Sequence, residues 1–287
     1  MANYPLRIDI KAAQHDRDWE NILAYARDTD AVEALSGFWM FDHFVPINGH
    51  VEGPCMDGWT LLGALAAATQ RVRLGLMVGC NGYRYPAVLA KIATTVDRVS
   101  GGRLDMGLGA GWFELEYDMY GIPFAPPAQR IHEMDEACEV LKRLWTQELA
   151  DFEGKYYGLK AARHEPKPVQ KPYPPITLGG GGEKLTLRVV AKHADMWNFG
   201  GGTPEEGARK SRILDEHCAA IGRDPATIRR SAQFYMKGPG EIEEVRGRIE
   251  GYVDAGFDQV CVGVPTEYVP GLVEEIGRRI EPLVGTV

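Results

Sequence analysis

The chain has 287 residues, a formal net charge of −8 and a sequence pI near 5.5, with 45% hydrophobic and 25% charged residues. This composition matches average soluble globular chains and excludes collagen-like, coiled-coil and disordered sequences. The acidic balance argues against general binding to nucleic acid or to anionic membranes, because both depend on an excess of lysine and arginine.

Cysteine usage and hydropathy indicate the cellular compartment. The five cysteines are odd in number, widely spaced and contain no C-x-x-C pair, which supports neither a disulfide framework nor a zinc knuckle. The sequence has no apolar run of 18 residues and begins without an apolar segment of the signal-peptide type. We therefore expect a cytoplasmic protein that is neither secreted nor membrane-spanning.

Eight short apolar runs recur along the chain and predict strands. Most are almost continuously apolar, as expected for parallel strands that are buried on both faces. Six of the seven intervals between their starts measure 19 to 35 residues, which suits one strand–helix unit each, whereas the fourth interval measures 72. The runs are 6–10, 37–41, 72–79, 103–109, 175–179, 194–199, 228–236 and 257–264.

Apolar residues at steps of three and four between these runs predict amphipathic helices. The clearest stripes cover residues 86–96, 131–145, 242–253 and 272–283. Alternating strands and helices predict an α/β fold, a (β/α)8 TIM barrel formed as a single domain over residues 1–287. A doubly wound sheet is the alternative. The long interval predicts insertions after strand four (113–127) and before strand five (151–173).

In a TIM barrel the active site lies at the carboxyl ends of the strands. His43 follows the second run, next to Asp42. A histidine so placed can donate or accept a proton near neutral pH, and Asp42 is a candidate for fixing its tautomer. Alternatively, His43 is a structural histidine and Asp42 caps the next segment.

Glycines and aromatic residues dominate the other strand ends. Four successive glycines, Gly179, Gly180, Gly181 and Gly182, precede a predicted helix, where backbone N–H groups can approach a phosphate. A flexible turn is the structural alternative. This mixture favours a large planar ligand with an anionic tail.

Other site chemistries lack their motifs. His132-Glu133 is followed by Glu136 where an H-E-x-x-H zinc motif needs histidine, and no G-x-S-x-G is present. Residues 107–111 begin like a dinucleotide fingerprint, but Trp112 stands where its third glycine belongs. We therefore predict no metal site.

Several motifs together resemble the bacterial luciferase-like flavin and deazaflavin oxidoreductase superfamily, and within it the actinobacterial coenzyme F420-dependent oxidoreductases. The resemblance covers nearly the whole chain. Its most specific stretches are 41–44 (FDHF), 83–86 (YRYP), 100–103 (SGGR), 109–116 (GAGWFELE), 120–124 (YGIPF), 152–157 (FEGKYY) and 174–182 (PPITLGGGG).

The resemblance implies a TIM barrel with insertions, usually dimeric, with the cofactor ring over the barrel mouth and His43 near its reactive face. It also implies a non-prolyl cis peptide around Val78-Gly79-Cys80 and a phosphate near Gly180 to Gly182, with Lys184 as countercharge. Trp112 and Glu114 either shape the pocket or serve helix capping and packing. The implied cofactor-binding residues are Val78, Gly79, Cys80, Asn81, Gly109, Ala110, Gly111, Trp112, Gly179, Gly180, Gly181, Gly182 and Lys184.

The resemblance implies hydride transfer between coenzyme F420 and a small organic substrate with a polarised C=C or C=O bond, with His43 handling the proton. Trp39, Trp197 and Phe199 are candidate pocket walls beside Glu114, and the loops 48–56 and 113–127 are candidates for setting specificity. One alternative is a monooxygenase that receives reduced FMN from a separate reductase. Another is a non-catalytic flavin- or deazaflavin-binding protein. We expect a homodimer.

Overall fold

The structure, a computed structural model, describes residues 4–47 and 50–284, and the first two residues of the predicted specificity loop 48–56 lie outside these ranges. The strands are β1 (Arg7–Lys11), β2 (Gly37–Met40), β3 (Arg73–Leu76), β4 (Leu104–Leu108), β5 (Ala150–Glu153), β6 (Gly158–Ala162), β7 (Ile176–Gly179), β8 (Met196–Phe199), β9 (Arg229–Tyr235) and β10 (Gln259–Gly263). The helices are α1 (Trp19–Ala31), α2 (Gly58–Ala68), α3 (Pro86–Val99), α4 (Glu114–Tyr120), α5 (Pro127–Thr146), α6 (Thr186–His193), α7 (Pro204–Ala220), α8 (Ile242–Asp254) and α9 (Leu272–Val284).

Eight strands form a closed parallel barrel in the order β1-β10-β9-β8-β7-β4-β3-β2. Each of the eight predicted runs overlaps a barrel strand, and closure excludes the doubly wound alternative. The TIM-barrel prediction is confirmed. The four helices predicted from apolar stripes are α3, α5, α8 and α9, and α3 begins at Pro86, whose missing N–H suits a first helical turn.

The two predicted insertions contain secondary structure that lies outside the barrel sheet. The first contains the short helix α4, and the second contains β5 and β6, which pair as an antiparallel hairpin. The hairpin was not predicted, because its strands are partly exposed and lack a continuous apolar run. The first insertion lies between β4 and the start of α5, whose residues Pro127 and Arg130 line the cavity described below. The second insertion lies between α5 and β7 and reaches the other end of the barrel, where Gln170 donates to the carbonyl of Leu104 at the start of β4.

The main hydrophobic core lies between the strands and the surrounding helices, where alternate β1 residues such as Ile8 and Ile10 are fully buried. Lys11 reaches across the barrel interior, because it contacts residues from the end of β3 and from β9, neither of which neighbours β1. A small second cluster contains Trp39, Met77, Met196 and Cys261. Among the described residues, no helix combines the length and apolar character needed to cross a membrane.

Candidate active site

A cavity of about 520 Å³ opens at the carboxyl ends of the barrel strands. Eleven of the predicted site residues line it, together with polar and aromatic residues that were not predicted. The predicted lining residues are Asp42, His43, Val78, Gly79, Cys80, Gly109, Ala110, Gly111, Trp112, Gly179 and Gly180. The unpredicted ones include Phe41, Tyr83, Arg130, Thr186, Asn198, Gln233 and Tyr235.

His43 is held in one orientation by a carboxylate from the first insertion. Its Nδ1 lies 2.6 Å from Oε2 of Glu116, which is fully buried on α4. Because an ionised carboxylate only accepts hydrogen bonds, Nδ1 is the donor, and Nε2 is the ring nitrogen left without a hydrogen-bond partner among the described residues. A single free nitrogen therefore remains on a histidine that lines the cavity.

Glu116 is itself fixed by further donors. Its Oε1 accepts hydrogen bonds from the backbone N–H groups of Phe44 (2.6 Å) and Val45 (3.1 Å), and the Tyr83 hydroxyl donates to Oε2. Burial raises the pKa of Glu116, but the hydrogen bonds from His43 and Tyr83 outweigh burial, and the net pKa is lowered. Glu116 is therefore ionised at neutral pH and can stabilise a charged imidazole.

Asp42 does not fix the tautomer of His43, which corrects the expectation from their adjacency. Its carboxylate accepts hydrogen bonds from Nη1 of Arg84 at 2.8 and 2.9 Å and from the backbone N–H of Cys80 at 2.8 Å. Asp42 lines the cavity and anchors the segment after β3.

The segment after β3 contains a non-prolyl cis peptide between Met77 and Val78. The sequence placed such a bond around Val78-Gly79-Cys80, and the observed bond adjoins Val78. A Cβ atom on Gly109 or Gly179 would lie 2.8 or 2.6 Å from Cγ2 of Val78. These two glycines therefore make room for the Val78 side chain at the cavity wall.

Two residues of this region are held by internal hydrogen bonds. The Cys80 thiol contacts the Tyr117 hydroxyl at 3.0 Å, and burial raises the pKa of Cys80 to about 12, so it is not a thiolate nucleophile at neutral pH. Asn81, predicted to bind cofactor, is buried just outside the cavity lining, where its side chain donates to Tyr157.

Arg130 and Thr186 are polar residues of the cavity lining, and Thr186 lies beside Gly180 and Gly182 of the glycine run. Nη1 of Arg130 donates to the carbonyl of Ala125 at 2.6 Å, while its buried Nε has no hydrogen-bond partner in the part of the chain that the structure describes. Thr186 is the first residue of α6, where the positive end of the helix dipole favours an anion. Arg130 and the start of α6 are therefore two features of the lining that suit a phosphate.

The rest of the predicted phosphate site lies beside the cavity. Gly181 and Gly182 are outside its lining, and the carbonyl of Gly181 accepts a hydrogen bond from Lys210 at 3.1 Å. Lys184 is exposed on the turn before α6. Arg130 is the cation that lines the cavity, and sequence reasoning missed it because the helical stripe was drawn through its neighbour Ile131.

The predicted pocket walls lie elsewhere, with one exception. Trp39 lies inside the barrel and donates to Asp9 at 2.8 Å. Trp197 and Phe199 pack against Phe257 in the main core, and Glu114 is exposed. The strands are almost continuously apolar, so their sequences do not show which side chains face the barrel interior and which face the helices. For this reason the sequence assigned Trp39, Trp197 and Phe199 to the pocket.

Trp112 is the exception, since it stands at the mouth of the cavity, 62% exposed, with its ring 6.1 Å from that of His43.

Within residues 4–47 and 50–284, no group of three or more histidine, cysteine, aspartate or glutamate side chains could hold a metal ion.

The sequence profile described as luciferase-like monooxygenase matches residues 4–237. The chain belongs to the luciferase-like monooxygenase family. This confirms the resemblance inferred from the motifs.

Relatives in this family use both kinds of cofactor. The chain is 32% identical to an F420-dependent glucose-6-phosphate dehydrogenase of Kineococcus radiotolerans, over 98% of this chain and 97% of that protein. It is 30% identical to an FMNH2-dependent dimethylsulfone monooxygenase of Pseudomonas putida, over 61% of this chain and 49% of that protein. An F420-dependent secondary alcohol dehydrogenase shares the fold with a TM-score of 0.86 at 19% identity, over 98% of this chain and 99% of that one.

Proposed function

We propose that this protein is a coenzyme F420-dependent oxidoreductase that transfers a hydride between the deazaflavin and a small organic substrate with a polarised C=C or C=O bond. The observation that carries the proposal is the cavity-lining His43, whose Nδ1 is bound to Glu116 and whose Nε2 has no hydrogen-bond partner among the described residues. Support for F420 over FMN comes from the relative that matches almost end to end.

The residues present fit a flavin-like cofactor. The buried Nε of Arg130, which has no hydrogen-bond partner within residues 4–47 and 50–284, offers a donor to an anionic group, and the start of α6 adds a second favourable site for it. Val78, Gly79 and Gly109 form a wall of backbone and one small side chain against which a planar ring can lie. When bound, the cofactor supplies the hydride chemistry, while the protein supplies orientation and electrostatics.

The protein's own part in the reaction is proton transfer and positioning. Nε2 of His43 donates the proton that accompanies reduction of the substrate, or accepts it in the reverse direction. The carboxylate of Glu116 stabilises the charged imidazole and keeps the ring in one tautomer. Apolar lining residues, including Phe41, Ile47 and Trp112, exclude water from this site.

Binding of coenzyme F420 and FMN to the purified protein, measured side by side by fluorescence and calorimetry, tests the cofactor. Tight binding of F420 with negligible binding of FMN is the expected result, followed by oxidation of reduced F420 with unsaturated carbonyl compounds. A preference for FMN with substrate-dependent oxygen consumption would instead identify a monooxygenase. Binding of a cofactor without turnover across a broad substrate panel would indicate a binding protein.

A further inference from the structure

Lys11, the last residue of β1, is buried directly beneath the wall of the cavity. Its Nζ donates to the carbonyl of Met77 at 3.0 Å and to Oε1 of Gln233 at 2.7 Å, and lies 3.7 Å from the centroid of the Phe41 ring. Each of these three residues lines the cavity. One layer of side chain or backbone therefore separates the ammonium group from whatever the cavity holds.

The positive charge of Lys11 has no carboxylate partner within 4.0 Å among the described residues. Asp9, two positions earlier on β1, instead receives hydrogen bonds from Arg7, Trp39 and Gln259. A buried cation without a counterion is costly, and such groups are retained where a site uses them. A negatively charged ligand in the cavity could therefore provide the counterion that Lys11 lacks among the described residues.

The titratable groups that face Lys11 do not supply that negative charge. They are Cys261 on β10, Tyr235 on β9 and His15 after β1. Burial raises the pKa of Cys261 and of Tyr235 well above neutrality, and burial lowers the pKa of His15 to about 4, so all three are uncharged at pH 7. Burial also lowers the pKa of Lys11 itself to about 7.

We propose that Lys11 is the positive charge that stabilises a negatively charged cofactor ring in the cavity, a role that rests on the proposed function. The reduced ring of a flavin or a deazaflavin is a weak acid, and its pyrimidine edge becomes negative when it loses a proton. A charge next to that edge tunes the electronics of the cofactor. Lys11 is thus a positioning and electrostatic residue that does not touch the substrate.

Proton uptake on binding follows from this arrangement. Above pH 7 the buried ammonium of the empty enzyme loses its proton, since its pKa is about 7. The free reduced ring has already lost its own proton at pH 8, so the proton that restores the charged form of Lys11 comes from solution, and binding draws close to one proton. At pH 6 Lys11 is already charged and contributes no uptake.

The experiment is anaerobic calorimetry with reduced F420 and reduced FMN at pH 8 and pH 6, in buffers of different ionisation enthalpy. The proteins are wild type, Lys11→Met, and the control Lys142→Met, which removes a partly buried lysine between α5 and α6, outside the cavity lining. At pH 8 we expect wild type and Lys142→Met to take up about one proton more than Lys11→Met, which binds roughly tenfold more weakly.

The outcomes separate this proposal from the proposed function. Binding by wild type at pH 8 without proton uptake overturns the role of Lys11, whatever the variants do. Equal uptake and equal affinity in wild type and Lys11→Met also overturn it. Should Lys11→Met fail to fold, Lys11→Gln takes its place. Failure of wild type to bind either cofactor overturns the proposed function, and the role of Lys11 with it.

Discussion

Two histidine–carboxylate pairs in this molecule share their chemistry but differ in what they leave free. His43 contacts Glu116 at 2.6 Å, and His193 contacts Asp135 at 2.5 Å. In the second pair the other ring nitrogen also has a neighbour, Lys142 at 3.5 Å, and the pair lies between α5 and α6. An ion pair between a histidine and a carboxylate therefore does not by itself indicate function. Function is indicated when the second ring nitrogen lines a cavity and has no hydrogen-bond partner among the described residues, as in His43.

The largest expected difference between the pairs is in turnover. Removing the His43 imidazole with His43→Gln should lower kcat for oxidation of reduced F420 by about 10²–10⁴-fold, because positioned acid–base catalysis is lost. The matched variant His193→Gln should stay within about threefold of wild type. The measurement is steady-state kcat on the best substrate, with thermal unfolding as the check on folding. Turnover of folded His43→Gln within threefold of wild type would end the proton-transfer role.

Neutralising the carboxylates should give a smaller contrast. Glu116→Gln should lower kcat about 10- to 100-fold, since a hydrogen bond to a charged group typically contributes about 1.5–3 kcal/mol. Asp135→Asn should leave kcat unchanged. Comparing kcat with KM distinguishes positioning from binding, because Glu116 does not line the cavity and KM should change little. Equal losses in both variants would mean that the two pairs act only through stability.

Arg130 and Lys184 are two candidate countercharges for the phosphate of the proposed cofactor, and their substitution distinguishes between them. Arg130→Gln should weaken binding of F420 about 10- to 100-fold, because charge-assisted hydrogen bonds are lost from the cavity. Lys184→Gln, on the exposed turn before α6, should change the affinity less than about threefold. The dissociation constants come from fluorescence titration. A larger loss of affinity in Lys184→Gln than in Arg130→Gln would favour Lys184, the countercharge inferred from the sequence.

The smallest effect we expect is a pH-dependent contribution of the His193–Asp135 pair to the free energy of unfolding. Burial opposes ionisation of Asp135, but hydrogen bonds from His193 and Lys192 lower its pKa to about 2. A depressed folded-state pKa gives stability that is present above pH 4 and lost as pH falls towards 2. Asp135→Asn should therefore cost about 1–2 kcal/mol at pH 7, discounted for partial exposure, and almost nothing at pH 2. Chemical denaturation at the two pH values measures this, and a cost independent of pH would contradict it.

The sequence predicted the barrel well because buried parallel strands are continuous apolar runs, which are a local property. The same continuity hid the direction of side chains, so Trp39 and Trp197 were assigned to the pocket although they lie in the barrel interior and in the outer core. Glu116 was quoted within a motif without a role, since its contact with His43 spans 73 residues. Such contacts arise from the tertiary fold.

Nitrogen NMR of the ¹⁵N-histidine-labelled protein shows which ring nitrogen of His43 carries the proton and which one is left to act in the cavity. Spectra of His43→Gln and His193→Gln assign the two signals. In the neutral form we predict a protonated Nδ1 and a bare Nε2 for His43, and the opposite tautomer for His193, where Nε2 faces Asp135. A protonated Nε2 in neutral His43 would show that Glu116 does not fix the ring, and the proposed proton transfer through Nε2 would fall with it.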